Sequence, residues 1–254
     1  MHLTNQVAWL KFSTAAPSVA VKTILRSATN ASTGTPIYFA NAYTVALAEA
    51  DSSYRELLNG AGYTFADGKP ISWLSKLVRH KPLIQQVRGP EAFEAVIDAG
   101  QVLGIRHFLL GSTDEVLEKL EANLLQRYPR ANIVGKLSPP FRIPSAEELR
   151  RRDEEILQTQ AQIVWVGLGT PKQDFEAARV AASCSVTAVA VGAAFDFSAG
   201  RKPAAPKWMG SVGLEWLFRL ITEPKRLWRR YLFGNAAFLR SCWIHRADLR
   251  RLAP

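Results

Sequence analysis

The residues best placed to do chemistry lie in one run, Gly167-Leu168-Gly169-Thr170-Pro171-Lys172-Gln173-Asp174. Ahead of it, Ile163 to Val166 are apolar and partly β-branched, the composition of a strand covered on both faces. Gly167 and Gly169 permit a tight turn in which the backbone comes close to a ligand. Pro171 suits the first position of a helix, where its missing N–H has no partner to lose. Lys172, Gln173 and the helix N–H groups then converge above the strand, a place suited to an anion such as a phosphate. The run lacks the third glycine of the dinucleotide fingerprint and the Gly-Lys-Ser/Thr ending of a P-loop, so a plain strand-to-helix turn also fits it.

A second candidate is Asp67 in Ala66-Asp67-Gly68. A carboxylate at a strand end accepts protons best when partial burial raises its pKa. Asp-Gly is equally a common turn pair. Asn41 follows another apolar run and reads either as a ligand contact or as the cap of the next helix. Arg88 reads as a fork for phosphate or as a surface ion pair. Asp196 either orients a site group or caps a turn, and His80, His107 and His245 are too scattered to assign.

The elements that must position these residues follow from the apolar periodicity. Helices are expected over Val19–Ala28, Ala42–Leu58, Ile71–Val78, Arg88–Leu103, Thr113–Arg127 and Ser145–Gln158, the last opened by a Ser145/Glu148 capping box. Another follows the central run to Ala182. Strands are expected at Pro36–Ala40, Tyr63–Ala66, His107–Leu110, Ala131–Val134, Ile163–Val166 and Val186–Val191. The alternation implies an α/β fold, a mostly parallel sheet with helices on both faces. Ligands bind such sheets beyond the carboxyl ends of the strands, so Asn41, Asp67, Gly111, Gly135 and Gly167 are expected to border one crevice.

Composition narrows the class. With 48% hydrophobic and 21% charged residues among 254, the chain can bury a sizeable core. Cys184 and Cys242 alone make no disulfide framework or metal-ligand spacing, which fits a reducing compartment. The start, broken by Lys11 and Lys22, is unlike a signal peptide, and no segment reaches the ~20 apolar residues a membrane span needs. The net charge of +10 is concentrated at the end, where residues 201–254 hold twelve Lys or Arg against three acids. Leu214, Leu217, Phe218 and Ile221, then Leu227, Trp228, Tyr231 and Leu232, repeat at helical spacing there. Residues 1–200 therefore read as the core and 201–254 as a basic amphipathic helical appendage, either a cap on the core or a segment that lies on an anionic membrane.

The chain resembles the WecG/TagA/CpsF family of bacterial glycosyltransferases over about residues 36–233. The resemblance rests on Asn41-Ala42, Ala66-Asp67-Gly68, Val87-Arg88-Gly89, Leu109-Leu110-Gly111, Val166 to Asp174, Val191 to Asp196, Ala205-Pro206-Lys207-Trp208, Gly213 to Leu220 and Glu223-Pro224-Lys225-Arg226-Leu227. It implies a Rossmann-like core and an appendage that docks on the cytoplasmic face of the bacterial inner membrane. The implied reaction is inverting transfer of a sugar (N-acetylmannosamine, its uronic acid or glucose) from a UDP donor to a polyprenyl-diphosphate-linked saccharide in surface polysaccharide synthesis. Asp67 becomes the candidate base and Gln173 a contact to the donor sugar or diphosphate. Asn41, Gly68, Arg88, Gly89, Gly111, Gly169, Pro171 and Lys172 become donor-site residues, and Arg219, Arg226, Arg229 and Arg230 face lipid headgroups or the acceptor diphosphate. The sequence departs from the family pattern at Phe39 and Ala204, which bear on the choice of sugar and acceptor, and mildly at Asp174, where glutamate is commoner.

No Asp-x-Asp pair occurs in the sequence, so no cofactor or metal is expected, with basic groups stabilising the leaving group instead. The expected partners are the UDP-sugar, the lipid-linked acceptor and an anionic membrane, not nucleic acid; a homo-oligomer stays open. Two rivals remain at this level. One is a nucleotide-dependent Rossmann oxidoreductase, weakened by the incomplete glycine fingerprint; the other is a nucleic-acid-binding protein, raised by the basic aromatic tail.

Overall fold

A computed structural model describes residues 3–30, 34–60, 62–77, 82–211 and 213–245, the side chains of residues 207, 211 and 226 excepted. In chain order the elements are β1 (Thr4–Val7), β2 (Leu10–Ser13), α1 (Pro17–Thr29), β3 (Thr35–Ala40), α2 (Ala42–Ala50), α3 (Ser52–Gly60), β4 (Tyr63–Ala66), α4 (Lys69–Leu77) and α5 (Gly89–Leu103). Then come β5 (Arg106–Gly111), α6 (Asp114–Arg127), β6 (Asn132–Leu137), α7 (Ala146–Gln158), β7 (Ile163–Gly167), α8 (Lys172–Cys184) and β8 (Thr187–Ala190). The chain closes with α9 (Ala194–Ser198), α10 (Lys207–Ser211), α11 (Glu215–Thr222) and α12 (Pro224–Ile244).

Six strands form one sheet in the order β4-β3-β8-β7-β5-β6, and every neighbouring pair is parallel. The expected α/β architecture, with helices on both faces, is what the structure has. Apolar residues 163–166 of β7 are all fully buried, because the central strand is covered twice. One face carries a core of Val45, Tyr54, Ile156 and Val180 from α2, α3, α7 and α8; the other carries Ile24, Phe93, Leu117 and Phe195 from α1, α5, α6 and α9. Trp165 meets Phe93 edge to face at 4.8 Å on the second side.

Several expectations are corrected. The helix expected over Ala42–Leu58 is two, because Asp51 Oδ1 accepts from the N–H groups of Ser53 and Tyr54 and starts α3 afresh. The strand expected to stop at Gly135 continues to Leu137, and Gly135 lies within it, under the Phe108 ring where a side chain would collide. It is no border of the crevice. The antiparallel hairpin β1–β2 had no counterpart in the sequence reading; it buries Val7, Leu10 and Phe12 on the α2/α3 side. Val78 and His80 lie outside the described residues.

The appendage is packed into this architecture. Leu227, Phe238 and Cys242 of α12 are buried, and Phe238 and Cys242 join the core on the α2 side. Gly234 brings α12 close to the ring of Tyr43. Ser241 donates to Glu49 of α2 at 2.6 Å, and His245 stands 3.3 Å from the same carboxylate. Both cysteines are free and buried.

Candidate active site

Because all six strands run the same way, their carboxyl ends share one edge of the sheet, and residues that follow them gather there. Asp67 directly follows β4. Its N–H donates to Ala40 O at 2.9 Å, and its Oδ1 accepts from Gly89 N–H at 3.2 Å. The first of these bonds extends the strand pairing by one residue, and the second links the carboxylate to the start of α5. Asn41 follows β3 and is the cap of α2. Its side-chain oxygen accepts from Tyr43 and Thr44 N–H at 3.0 and 3.3 Å, while Thr44 Oγ1 accepts from Asn41 N–H.

A cleft of about 300 Å³ opens here, with Asn41, Asp67, Gly68 and Lys69 on the sheet side. Trp73 of α4 and Gln86 flank it, and α11 and α12 complete the wall with Glu215, Trp216, Arg219, Arg230, Tyr231 and Asn235. Burial, with a smaller contribution from the Glu215 carboxylate, pushes Asp67 up to about 6. Arg219, the Gly89 N–H and Arg88 act in the opposite direction. Asp67 is thus largely ionised at neutral pH yet weakly held as an anion, the state required of a general base.

The four tail arginines take different places. Arg219 faces the cleft with its guanidinium 5.3 Å from the Phe197 ring centre, and its buried Nε has no hydrogen-bond partner among the described residues. Arg230 lines the same cleft, 4.3 Å above the Tyr43 ring. Arg229 lies over exposed Trp228. The side chain of Arg226 falls outside the described part of the structure. Arg88 is paired rather than open: it contacts Glu91 and Glu215, the latter at 2.8 Å.

The second group of candidates sits further along the edge. Gly111 and Gly167 are register partners on neighbouring β5 and β7, and a Cβ on Gly111 (φ +132°) would strike the Gly167 carbonyl at 2.6 Å. β5 leads outward to β6 and β7 leads back to β8, so the chain reverses direction between them, the position where open α/β sheets bind ligands. Gly169 (φ +81°) has open space where a side chain would be. Pro171 is not the first helical residue, as the sequence suggested. It is the cap residue of α8 after a cis Thr170–Pro171 peptide, with its carbonyl accepting from Asp174 N–H. Lys172 is exposed. Gln173 is 4% exposed; its Oε1 accepts from Gly169 N–H at 3.0 Å and so holds the glycine turn closed. Asp174 is buried beside Tyr54, whose hydroxyl donates to it, and burial raises it to about 7.

The structure therefore brings Asn41, Asp67, Gly68, Gly89, Arg219 and Arg230 together. Gly111, Gly169, Pro171, Lys172 and Gln173 form a neighbouring group on the same edge. Three strand spacings separate the β4 and β7 columns, about 14 Å. Asp196 is tied to Lys202 at 2.8 Å, and His107 is wholly buried against Trp165 at 3.2 Å; neither reaches the cleft. Sequence reasoning passed over Tyr43, Trp73, Tyr231 and the role of Glu215. Glu215 had a visible signal as an acid in a strongly basic stretch, and Tyr231 as a member of the tail's helical repeat. The others depend on how α4 and α12 fold over the sheet.

No described helix is long and apolar enough to cross a membrane. Comparison with protein families gives a match to the WecG/TagA/CpsF glycosyl transferase family over residues 6–252. With nearly the whole chain matched, this protein belongs to that family and is a glycosyl transferase of cell-surface polysaccharide synthesis.

Proposed function

We propose that the protein transfers a sugar from a UDP donor to a saccharide carried on a polyprenyl diphosphate, with inversion at the anomeric carbon. The observation that carries the reading is a half-buried carboxylate of raised pKa facing a cleft that also holds Arg219 and Arg230. Asp67 takes the proton of the acceptor hydroxyl as that oxygen bonds to the anomeric carbon. The bond from this carbon to the donor diphosphate breaks, and its electron pair leaves with UDP. Family membership selects none of the three sugars, and Phe39 and Ala204 leave N-acetylmannosamine, its uronic acid and glucose as donors to compare.

The glycine turns at Gly111 and Gly167–Gly169 would receive the nucleotide over the β5/β7 reversal, with Gln173 keeping the turn in shape. Arg219 and Arg230 offset diphosphate charge in the cleft they line. No divalent cation is assigned a role; among the described residues no group of three or more His, Cys, Asp or Glu is arranged to hold one. The test is a panel of UDP-sugars with a short-chain polyprenyl-diphosphate-saccharide, with and without EDTA. One donor is expected to give product carrying the opposite anomeric configuration, at the same rate in EDTA. Retention of configuration, or loss of the rate in EDTA, would overturn the corresponding part of the scheme.

The appendage is proposed to rest on the cytoplasmic face of the membrane. Trp228, Leu232, Leu239 and Trp243 of α12 are exposed along one stripe at helical spacing, beside Lys225, Arg229 and Arg240. This stripe lies away from buried Leu227, Phe238 and Cys242. Replacing Trp228, Leu232 and Trp243 together by Ser is expected to weaken co-sedimentation with anionic vesicles more than about tenfold, with melting temperature unchanged. Undiminished vesicle binding would remove this stripe from the membrane contact.

A further inference from the structure

The base sits on the core and the arginines come from the appendage, and at the cleft an ion pair joins the two. Glu215, the first residue of α11, holds Arg88 Nη2 at 2.8 Å, and Arg88 is the cap residue of α5. The next residue, Gly89, donates its N–H to Asp67. Gly210 leaves room for this pairing, since a Cβ there would come within 3.1 Å of the Arg88 guanidinium. Glu215 also lines the cleft beside Asp67. The charged groups facing Asp67 from the surrounding elements are Lys69 of α4, Arg88 at the start of α5, Glu215 and Arg219 of α11, and Arg230 of α12. Glu215 is the one acid among them.

We propose that Glu215 is a positioning residue for the transfer reaction: it draws the Arg88 guanidinium away from Asp67 and sets its own negative charge opposite the base. The inference rests on Asp67 being that base, as proposed above. Two effects then act in one direction. A like charge nearby disfavours ionised Asp67, and an arginine engaged by two carboxylates gives it less support. Docking of α11 therefore brings to the cleft both Glu215, which strengthens the base, and Arg219, which opposes it.

The sign of the test follows. Glu215→Gln removes the like charge and releases Arg88 toward Asp67, so the Asp67 pKa falls. Arg219→Gln removes an opposing charge, so it rises. The experiment is an NMR titration of the Asp67 side-chain carboxyl in the full chain, its signal assigned by loss in Asp67→Asn. The wild type is expected to titrate near pH 6, Glu215→Gln lower by at least about half a pH unit, Arg219→Gln higher, and Glu215→Asp close to wild type. With the donor that the wild type uses, the acid limb of kcat/KM moves the same way in each variant. A Glu215→Gln protein that melts like the wild type while its Asp67 titrates at the wild-type pH overturns the proposal. Failure of the wild type to transfer any sugar would instead count against the function proposed above, and the titration would still decide the role of Glu215.

Discussion

Asp67→Asn is expected to lower kcat by about 10³-fold, within the range a positioned base contributes, while leaving UDP affinity within about twofold. The geometry makes this a clean removal of basicity. An amide oxygen still accepts the Gly89 N–H bond that Asp67 Oδ1 receives at 3.2 Å, so the start of α5 stays in place. The variant also predicts its own stability. A carboxyl whose folded pKa is raised to about 6 is destabilising when ionised. Asp67's own contribution to stability is greatest below the unfolded Asp pKa and declines as pH rises to about 6. Asn is neutral throughout, so at pH 8 the variant should melt no lower than wild type. Activity of the wild type runs the other way, rising with pH through the same interval as the base ionises. Steady-state rates, UDP titration and thermal melts at pH 5 and pH 8 check all three. A variant with substantial turnover would take Asp67 out of the mechanism.

The largest expected effect on stability lies away from the cleft, where α7 meets α8. Glu176 accepts from Arg152, which is 5% exposed, and from Arg179, which also forks onto Asp153 at 2.7 and 2.8 Å. These cations hold the Glu176 carboxyl below its ordinary range despite burial. Glu176→Ala leaves the Arg152 guanidinium buried with its charge uncompensated, and its Nε already has no partner among the described residues. The cost should be about 3–5 kcal/mol, a drop of roughly 10 °C in Tm for a chain of this length. Because the folded pKa is depressed, the stabilisation is present above the unfolded Glu value and fades as pH falls below about 4. Melts of wild type and variant should therefore converge in acid. Equal melting at pH 7 would show the cluster to be neutral.

Much of the sheet was legible because strands such as β3, β4 and β5 are short apolar runs ending at Asn41, Asp67 and Gly111. Tertiary arrangement was not. A helix-favouring composition over residues 42–58 hid the cap at Asp51, a local hydrogen bond that outcompetes continuity. Strands β1 and β2 hold Asn5, Gln6 and Lys11, so no apolar run marks them. At the site, Asp67 stands out by its place in the chain, whereas the engagement of Arg88 depends on Glu215, 127 positions later. Gln173 carried the right residue type for a ligand contact, but its oxygen is bound to a backbone N–H four residues back, a geometry no spacing rule reveals. The appendage was read as basic and amphipathic; its buried side, built from Leu227, Gly234, Phe238 and Cys242, became visible only against α2.

That buried side changes what truncation means. Were the chain to stop before α12, α2 would lose the cover that Phe238, Ser241 and Cys242 give it, and the apolar patch laid bare would invite self-association rather than leave a smaller, freely diffusing catalyst. Shortened proteins of this kind would report on clumping as much as on membrane attachment, and point changes on the outward stripe separate the two.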